Sequence, residues 1–131
     1  MKRSESREAL FILMFQATFF KDLDFNEIIN TATEEGEIEI DDFAKKSFEE
    51  IMGSIEEIDS LISKYLNNRS ISRLSRVALS VLRIAVYEIS KIEDIPNSVS
   101  INEAVNLVKK YDTQESASYV NGVLGSYVRS N

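Results

Sequence analysis

The sequence predicts an all-α protein. One proline and four glycines punctuate its 131 residues, apolar residues recur at three- and four-residue steps rather than alternating, and cap-forming residues stand where the apolar stripes begin. The length suits one domain with its own core. About six to seven helices are expected, with a link at residues 69–74 separating an N-terminal lobe (1–68) from a C-terminal lobe (69–131).

The first helix runs from about Ser4 to Phe20, its apolar stripe formed by Leu10, Phe11, Leu13, Met14, Ala17 and Phe20. A second begins at Asp24, with Glu27 at capping-box spacing, and ends near Glu35 and Gly36. The third is the longest. From Asp41 or Asp42 to Leu66 it keeps the helical period through Phe48, Ile51, Met52, Ile55, Ile58 and Ile62. Asn67 and Asn68 end it, since Asn tolerates the left-handed backbone of a C-terminal cap, and "RSISRL" (69–74) follows as a link with one helical turn.

"SRVALSVLRIAVYEISKI" then reads as a helix buried along Val77, Val81, Leu82, Ala85 and Ile89. Pro96 cannot continue a helix and biases Ile95 to extended backbone. Ser100, with Glu103 three residues on, is the expected start of the next helix, whose stripe is Ile101, Ala104, Val105, Val108 and Tyr111. Asp112 or Thr113 caps the last helix. There Ala117, Val120, Leu124 and Tyr127 hold the period across Asn121-Gly122, a dipeptide that otherwise favours a hairpin turn. A glycine inside a helix costs about 1 kcal/mol relative to alanine, so close approach of another backbone at Gly122 is expected.

The chain contains neither cysteine nor histidine. Disulfides, Cys–His and Ser–His–Asp machinery and the usual zinc sites are thereby excluded, and no cofactor or catalysed reaction is expected. Paired carboxylates are the one enzymatic option left, and the acids fall mostly on solvated helix faces. No apolar run approaches the roughly 20 residues of a membrane-spanning helix, and the N-terminus has no small-residue cleavage site. A cytoplasmic protein is expected.

The net charge of −7 is unevenly spread. Residues 22–59 carry 14 Asp and Glu against Lys45 and Lys46 alone, whereas residues 60–131 carry nine Lys and Arg against six acids. The first 21 residues set Lys2, Arg3, Arg7 and Lys21 against Glu5 and Glu8. An acidic middle between basic ends allows a nucleic-acid face on an acidic protein.

Four segments carry a resemblance. "SREALFILMFQ" (6–16), "VLRIAVYEI" (81–89), "DIPNSVSINEAVNLVKKY" (94–111) and "YVNGVLG" (119–125), in this order and spacing, resemble the NusB family of bacterial transcription antitermination factors. The resemblance implies two small helical bundles and a non-catalytic protein that binds boxA RNA of nascent ribosomal RNA transcripts. It also implies two protein partners: NusE, which is a ribosomal small-subunit protein, and the RNA polymerase antitermination complex. Proteins similar to this one also pair as homodimers through the surface that otherwise meets RNA or NusE.

In that frame the RNA-binding candidates are Lys2, Arg3 and Arg7 at the N-terminus, Lys109 and Lys110, Glu115 and Ser116, and Tyr119. Cations suit phosphates because each contact releases condensed counterions, and an exposed aromatic offers a stacking face for an unpaired base. Lys109 and Lys110 equally suit a helix C-terminus, and Glu115 and Ser116 equally serve as helix-start residues. Arg76, Leu79 and Tyr87 are the expected partner-facing residues. Arg83, Glu88, Asn102, Glu103, Asn121 and Gly122 match the family's signature positions and are read as structural, Glu103 as a helix cap and Arg83 with Glu88 as an ion pair or a link between the lobes. The competing reading is a helical protein-interaction scaffold that docks a basic partner on the acidic middle and binds no RNA.

Overall fold

Apolar residues at helical spacing produce helices throughout the residues described by the computed structural model, which are 2–20, 24–36 and 38–131. Lys21, one of the N-terminal cations, lies outside them. The described residues form seven α-helices and one 3-10 turn, with no strand among them. The helices are α1 (Arg3–Ala17), α2 (Phe25–Gly36), α3 (Asp42–Gly53), α4 (Ile55–Ser63), α5 (Arg76–Lys91), α6 (Asn97–Tyr111) and α7 (Gln114–Arg129); the 3-10 turn is Ile71–Arg73. They gather into two compact units, Met1–Gly53 and Ser54–Asn131, so the expected division at 68/69 falls inside the second.

The displaced division has a local cause. The expected single helix from residue 42 to 66 breaks between α3 and α4, where Ser54 leaves helical backbone at φ −121°, ψ 21°. Gly53, just before it, has the lowest helix propensity of any residue but proline. Ile51, Ile58 and Ile62 are all buried on either side of the break, so the apolar period runs through it unchanged.

In the first unit α1 packs on α2 and α3. Leu10, Leu13 and Met14 of α1 and Ala44, Phe48 and Ile51 of α3 are fully enclosed, and Phe25 meets Phe48 edge-on at 5.7 Å between centroids. Asp24 accepts from the Asn26 N–H at 2.9 Å and so caps α2. Asp41 does the same for α3, accepting from Ala44 N–H at 2.9 Å, and its other oxygen accepts from the Ser6 hydroxyl of α1. Burial alone would raise the Asp41 pKa, but these two hydrogen bonds and the charge of Arg3 outweigh it and lower it below the usual carboxylate value. Phe20, expected on the apolar stripe, is 58% exposed. The reason is that α1 ends at Ala17 and Phe20 lies outside the helical period.

In the second unit α5 is central, packed against α4, α6 and α7. Arg83 of α5 clasps Asp59 of α4 through two parallel hydrogen bonds, Nε to Oδ1 and Nη2 to Oδ2, each 2.8 Å. Both residues belong to this unit, so the pair joins helices within it. Asn67 and Asn68 adopt the left-handed backbone anticipated for them, at φ 50° and 71°.

The sixth helix begins earlier than the capping-box spacing implies. Pro96, whose fixed φ suits a helix start, occupies the cap, and its carbonyl accepts from the N–H groups of Val99 and Ser100. Ser100 and Glu103 therefore form no capping box. Ser100 is buried instead and donates its hydroxyl to the buried carboxylate of Glu88 at 3.1 Å. The buried stripe of α6 is Ser100, Ala104, Leu107 and Val108, which leaves Tyr111 41% exposed.

The last helix runs unbroken through Asn121-Gly122, as its period requires. Close approach at Gly122 is not found: a Cβ built there meets nothing within 4 Å, and both residues are exposed. Gly122→Ala is accordingly expected to stabilise the fold by about 0.5–1 kcal/mol, seen as a raised midpoint in thermal unfolding. A lowered midpoint would show that the glycine serves packing after all.

Candidate nucleic-acid interface

The segment joining α4 to α5 turns on the two left-handed asparagines, which swing Arg69 back toward α7. One carbonyl fixes the arrangement. Leu66 O accepts from the Arg69 N–H at 3.2 Å and from the Tyr119 hydroxyl at 2.9 Å, and the Leu66 side chain is fully buried. The Arg69 guanidinium consequently lies over the Tyr119 ring, 4.6 Å from its centroid, in cation–π range.

Beside this stack opens a groove of about 410 Å³, lined by Arg69, Arg73, Ser75, Thr113, Glu115, Ser116 and Tyr119 among others. A second hollow of about 560 Å³, formed by Asn68, Arg69, Ser70 and Arg73, adjoins through the two shared arginines. The floor is the start of α7. Thr113 caps it, its hydroxyl oxygen accepting from Ser116 N–H at 3.0 Å. The neighbouring first-turn N–H groups have no intrahelical acceptor and carry the positive end of the helix dipole. Ser75, which caps α5 by accepting from Ala78 N–H, donates to Asp112 at 2.6 Å and so ties the start of α5 to the end of α6.

Two guanidinium groups, a helix N-terminus and an aromatic ring thus converge on one groove, a combination suited to phosphate and to an unpaired base. Glu115 adds an exposed acceptor, which in such a setting can take a base amino group.

Of the residues singled out from sequence, Glu115, Ser116 and Tyr119 meet here. Lys109 and Lys110 are exposed in the last turn of α6, with Lys110 Nζ 5.4 Å from the Tyr111 ring. Lys2 and Arg3 are exposed at the start of α1, Arg3 lying 3.9 Å over the Phe43 ring. Arg7 departs from expectation: it is 3% exposed. It stands one turn before Leu10 and two before Met14, on the buried face of α1, and presents no cation to solvent. Tyr119 is half-buried under Arg69 rather than open.

Among the partner-facing candidates Arg76 is exposed and Leu79 half-buried. Tyr87 is only 5% exposed, because α5 is surrounded by its neighbours, and it cannot dock a partner from there. Arg69 and Arg73 were not singled out from sequence. Each is a lone cation in a link, and only the fold brings them to Tyr119.

Another groove, of about 520 Å³, lies in the first unit, with Phe20 and Ile28 on its wall and Glu27 and Glu34 at its rim. Its charge is wrong for a polyanion. No helix among the described residues is long and apolar enough to cross a membrane.

The described residues thus form a helical protein with a cationic, aromatic groove at a helix N-terminus. The NusB family profile matches residues 4–129. The transcription antitermination protein NusB of Listeria monocytogenes serotype 4a (strain HCC23) is 39% identical over 126 residues, covering 96% of this chain and 95% of that one. The corresponding Clostridium botulinum protein (strain Kyoto, type A2) is 39% identical over 143 residues, covering 98% of this chain and all of that one. Among solved structures, T. maritima NusB superposes with a TM-score of 0.87 at 36% identity, over 98% of this chain and 92% of that one. A structure of the antitermination factors NusB and NusE in complex with dsRNA gives 0.86 at 30% identity, over 98% of this chain and 97% of that one. The chain belongs to the NusB family.

Proposed function

We propose that this protein is an RNA-binding transcription antitermination factor that acts with NusE on boxA RNA of nascent ribosomal RNA transcripts, as part of the RNA polymerase antitermination complex in the cytoplasm. The observation that carries the reading is the groove at the start of α7, where Arg69, Arg73 and Tyr119 meet a helix N-terminus. Family membership and the NusB–NusE–dsRNA neighbour support it. The protein's part is binding, not catalysis. Arg69 and Arg73 neutralise phosphates, the platform at Tyr119 holds a base, and Glu115 accepts from base edges. Lys109, Lys110, Lys2 and Arg3 add salt-sensitive attraction.

With Arg7 buried, the exposed N-terminal cations are few, so affinity is expected to lean on NusE. Fluorescence-anisotropy titration of a labelled boxA-type RNA tests this, with binding expected to tighten when NusE is added and to weaken as salt rises. The scaffold reading draws on one observation, the apolar groove rimmed by Glu27 and Glu34. It predicts no RNA affinity at any salt.

A further inference from the structure

We propose that the RNA groove contains a preformed subsite for one unpaired nucleotide whose base stacks on the Arg69 guanidinium, with Tyr119 behind it as support and Arg73 taking the adjoining phosphate. This rests on the RNA-binding reading above and specifies which group presents the stacking face.

The geometry decides between Tyr119 and Arg69. The Tyr119 ring is half-buried, its hydroxyl is held by Leu66 O at 2.9 Å, and one of its faces lies beneath a guanidinium 4.6 Å from the centroid. A base reaching that face of the ring would have to displace the cation. Arg69 is exposed, so a base laid on its outer side keeps the cation–π contact and adds one layer to it. Guanidinium planes accept bases in this way.

The platform is also rigid at its base. The Arg69 N–H and the Tyr119 hydroxyl share the carbonyl of a fully buried leucine, and the two left-handed asparagines just before Arg69 set the direction of its backbone. The backbone of Arg69 and the ring beneath it are therefore already ordered before binding, which lowers its cost. Arg73 lines both the groove and the adjoining hollow, which places a second cation along the path of the strand.

The test separates plane from charge. A single-stranded boxA-type RNA carrying 2-aminopurine at each position in turn is titrated, with NusE present, against wild type, Arg69→Lys, Arg69→Ala and Tyr119→Phe, each checked for native helicity by circular dichroism. Wild type is expected to quench 2-aminopurine at one position by about twofold or more. Arg69→Lys keeps the charge and loses the plane. It should bind within about threefold of wild type at low salt yet lose the quench. Arg69→Ala should lose the quench and about tenfold in affinity, and Tyr119→Phe should retain the quench.

Quenching by Arg69→Lys equal to wild type would overturn the proposal. So would tighter binding with deeper quenching by Arg69→Ala, which would make Arg69 a cover over Tyr119. Failure of wild type to bind at all, even with NusE at low salt, would overturn the RNA-binding reading itself and the subsite with it.

Discussion

Replacing Arg69 and Arg73 together by alanine is expected to weaken boxA-type RNA binding by about a hundredfold at moderate salt. Each arginine combines a phosphate contact with stacking or hydrogen bonding, and such contacts are worth roughly 1–3 kcal/mol when truncated, at 1.4 kcal/mol per factor of ten. The dependence on salt should change as well. Two fewer cations at a single strand should flatten the slope of log K against log salt by about 1.4. Both arginines are exposed, so the fold should survive and circular dichroism should be unchanged. Loss of affinity with an unchanged slope would mean that the arginines act by shape and not by charge. The same double substitution leaves the scaffold reading untouched, since the acidic first-unit groove contains neither residue.

Replacing Arg83 by alanine is expected to cost the second unit about 2 kcal/mol. The Arg83 side chain is 13% exposed and Asp59 26%, so the pair is neither dry nor fully screened. Hydrogen bonds to charged groups contribute about 1.5–3 kcal/mol; the bidentate geometry raises the value within that range and the partial exposure lowers it. The loss would leave the Asp59 carboxylate without its fork at the junction of α4 and α5. Chemical denaturation should show a lower midpoint with an unchanged m-value. Replacing both partners by apolar residues of similar size should recover most of the loss, because no half-buried charge is then stranded. A single substitution within 0.5 kcal/mol of wild type would reduce the pair to an ordinary surface contact.

What the sequence disclosed depended on whether a signal was local. Helical periods, the left-handed backbone of Asn67 and Asn68 and the Thr113 cap are local, and the structure shows all three, although the asparagines cap no helix, because α4 already ends at Ser63 with Lys64 as its C-cap. The break at Gly53 escaped because the buried isoleucines keep their phase across it. The start of α6 was misread because two start signals compete there, and the fixed φ of Pro96 prevails over the Ser100–Glu103 spacing. Arg3 and Arg7 share the helix face of Leu10 and Met14, yet Arg3 is the first residue of α1 and stays exposed, whereas Arg7, one turn further in, is buried. Tyr119, singled out from its place before Val120, Asn121 and Gly122, does line the groove. Its companion Arg69 was not singled out: Tyr119 and the Leu66 carbonyl that orders the Arg69 turn are 53 positions apart. Contacts that distant leave no spacing pattern in a single sequence.

The same distinction explains Gly122. A glycine in a helix reads as a packing device because that is what most often justifies its cost, but here the helix face it occupies is open. Its neighbour Asn121 is exposed too, so the dipeptide forms a low, polar patch on α7 rather than a helix–helix contact.

The measurement that bears most directly on the central claim is the titration of wild-type protein against labelled boxA-type RNA at two salt concentrations, with and without NusE. The account predicts binding that NusE tightens and salt weakens. RNA affinity absent under all four conditions, with the protein folded and NusE still bound, would contradict it and leave the acidic-rimmed groove of the first unit as the working surface.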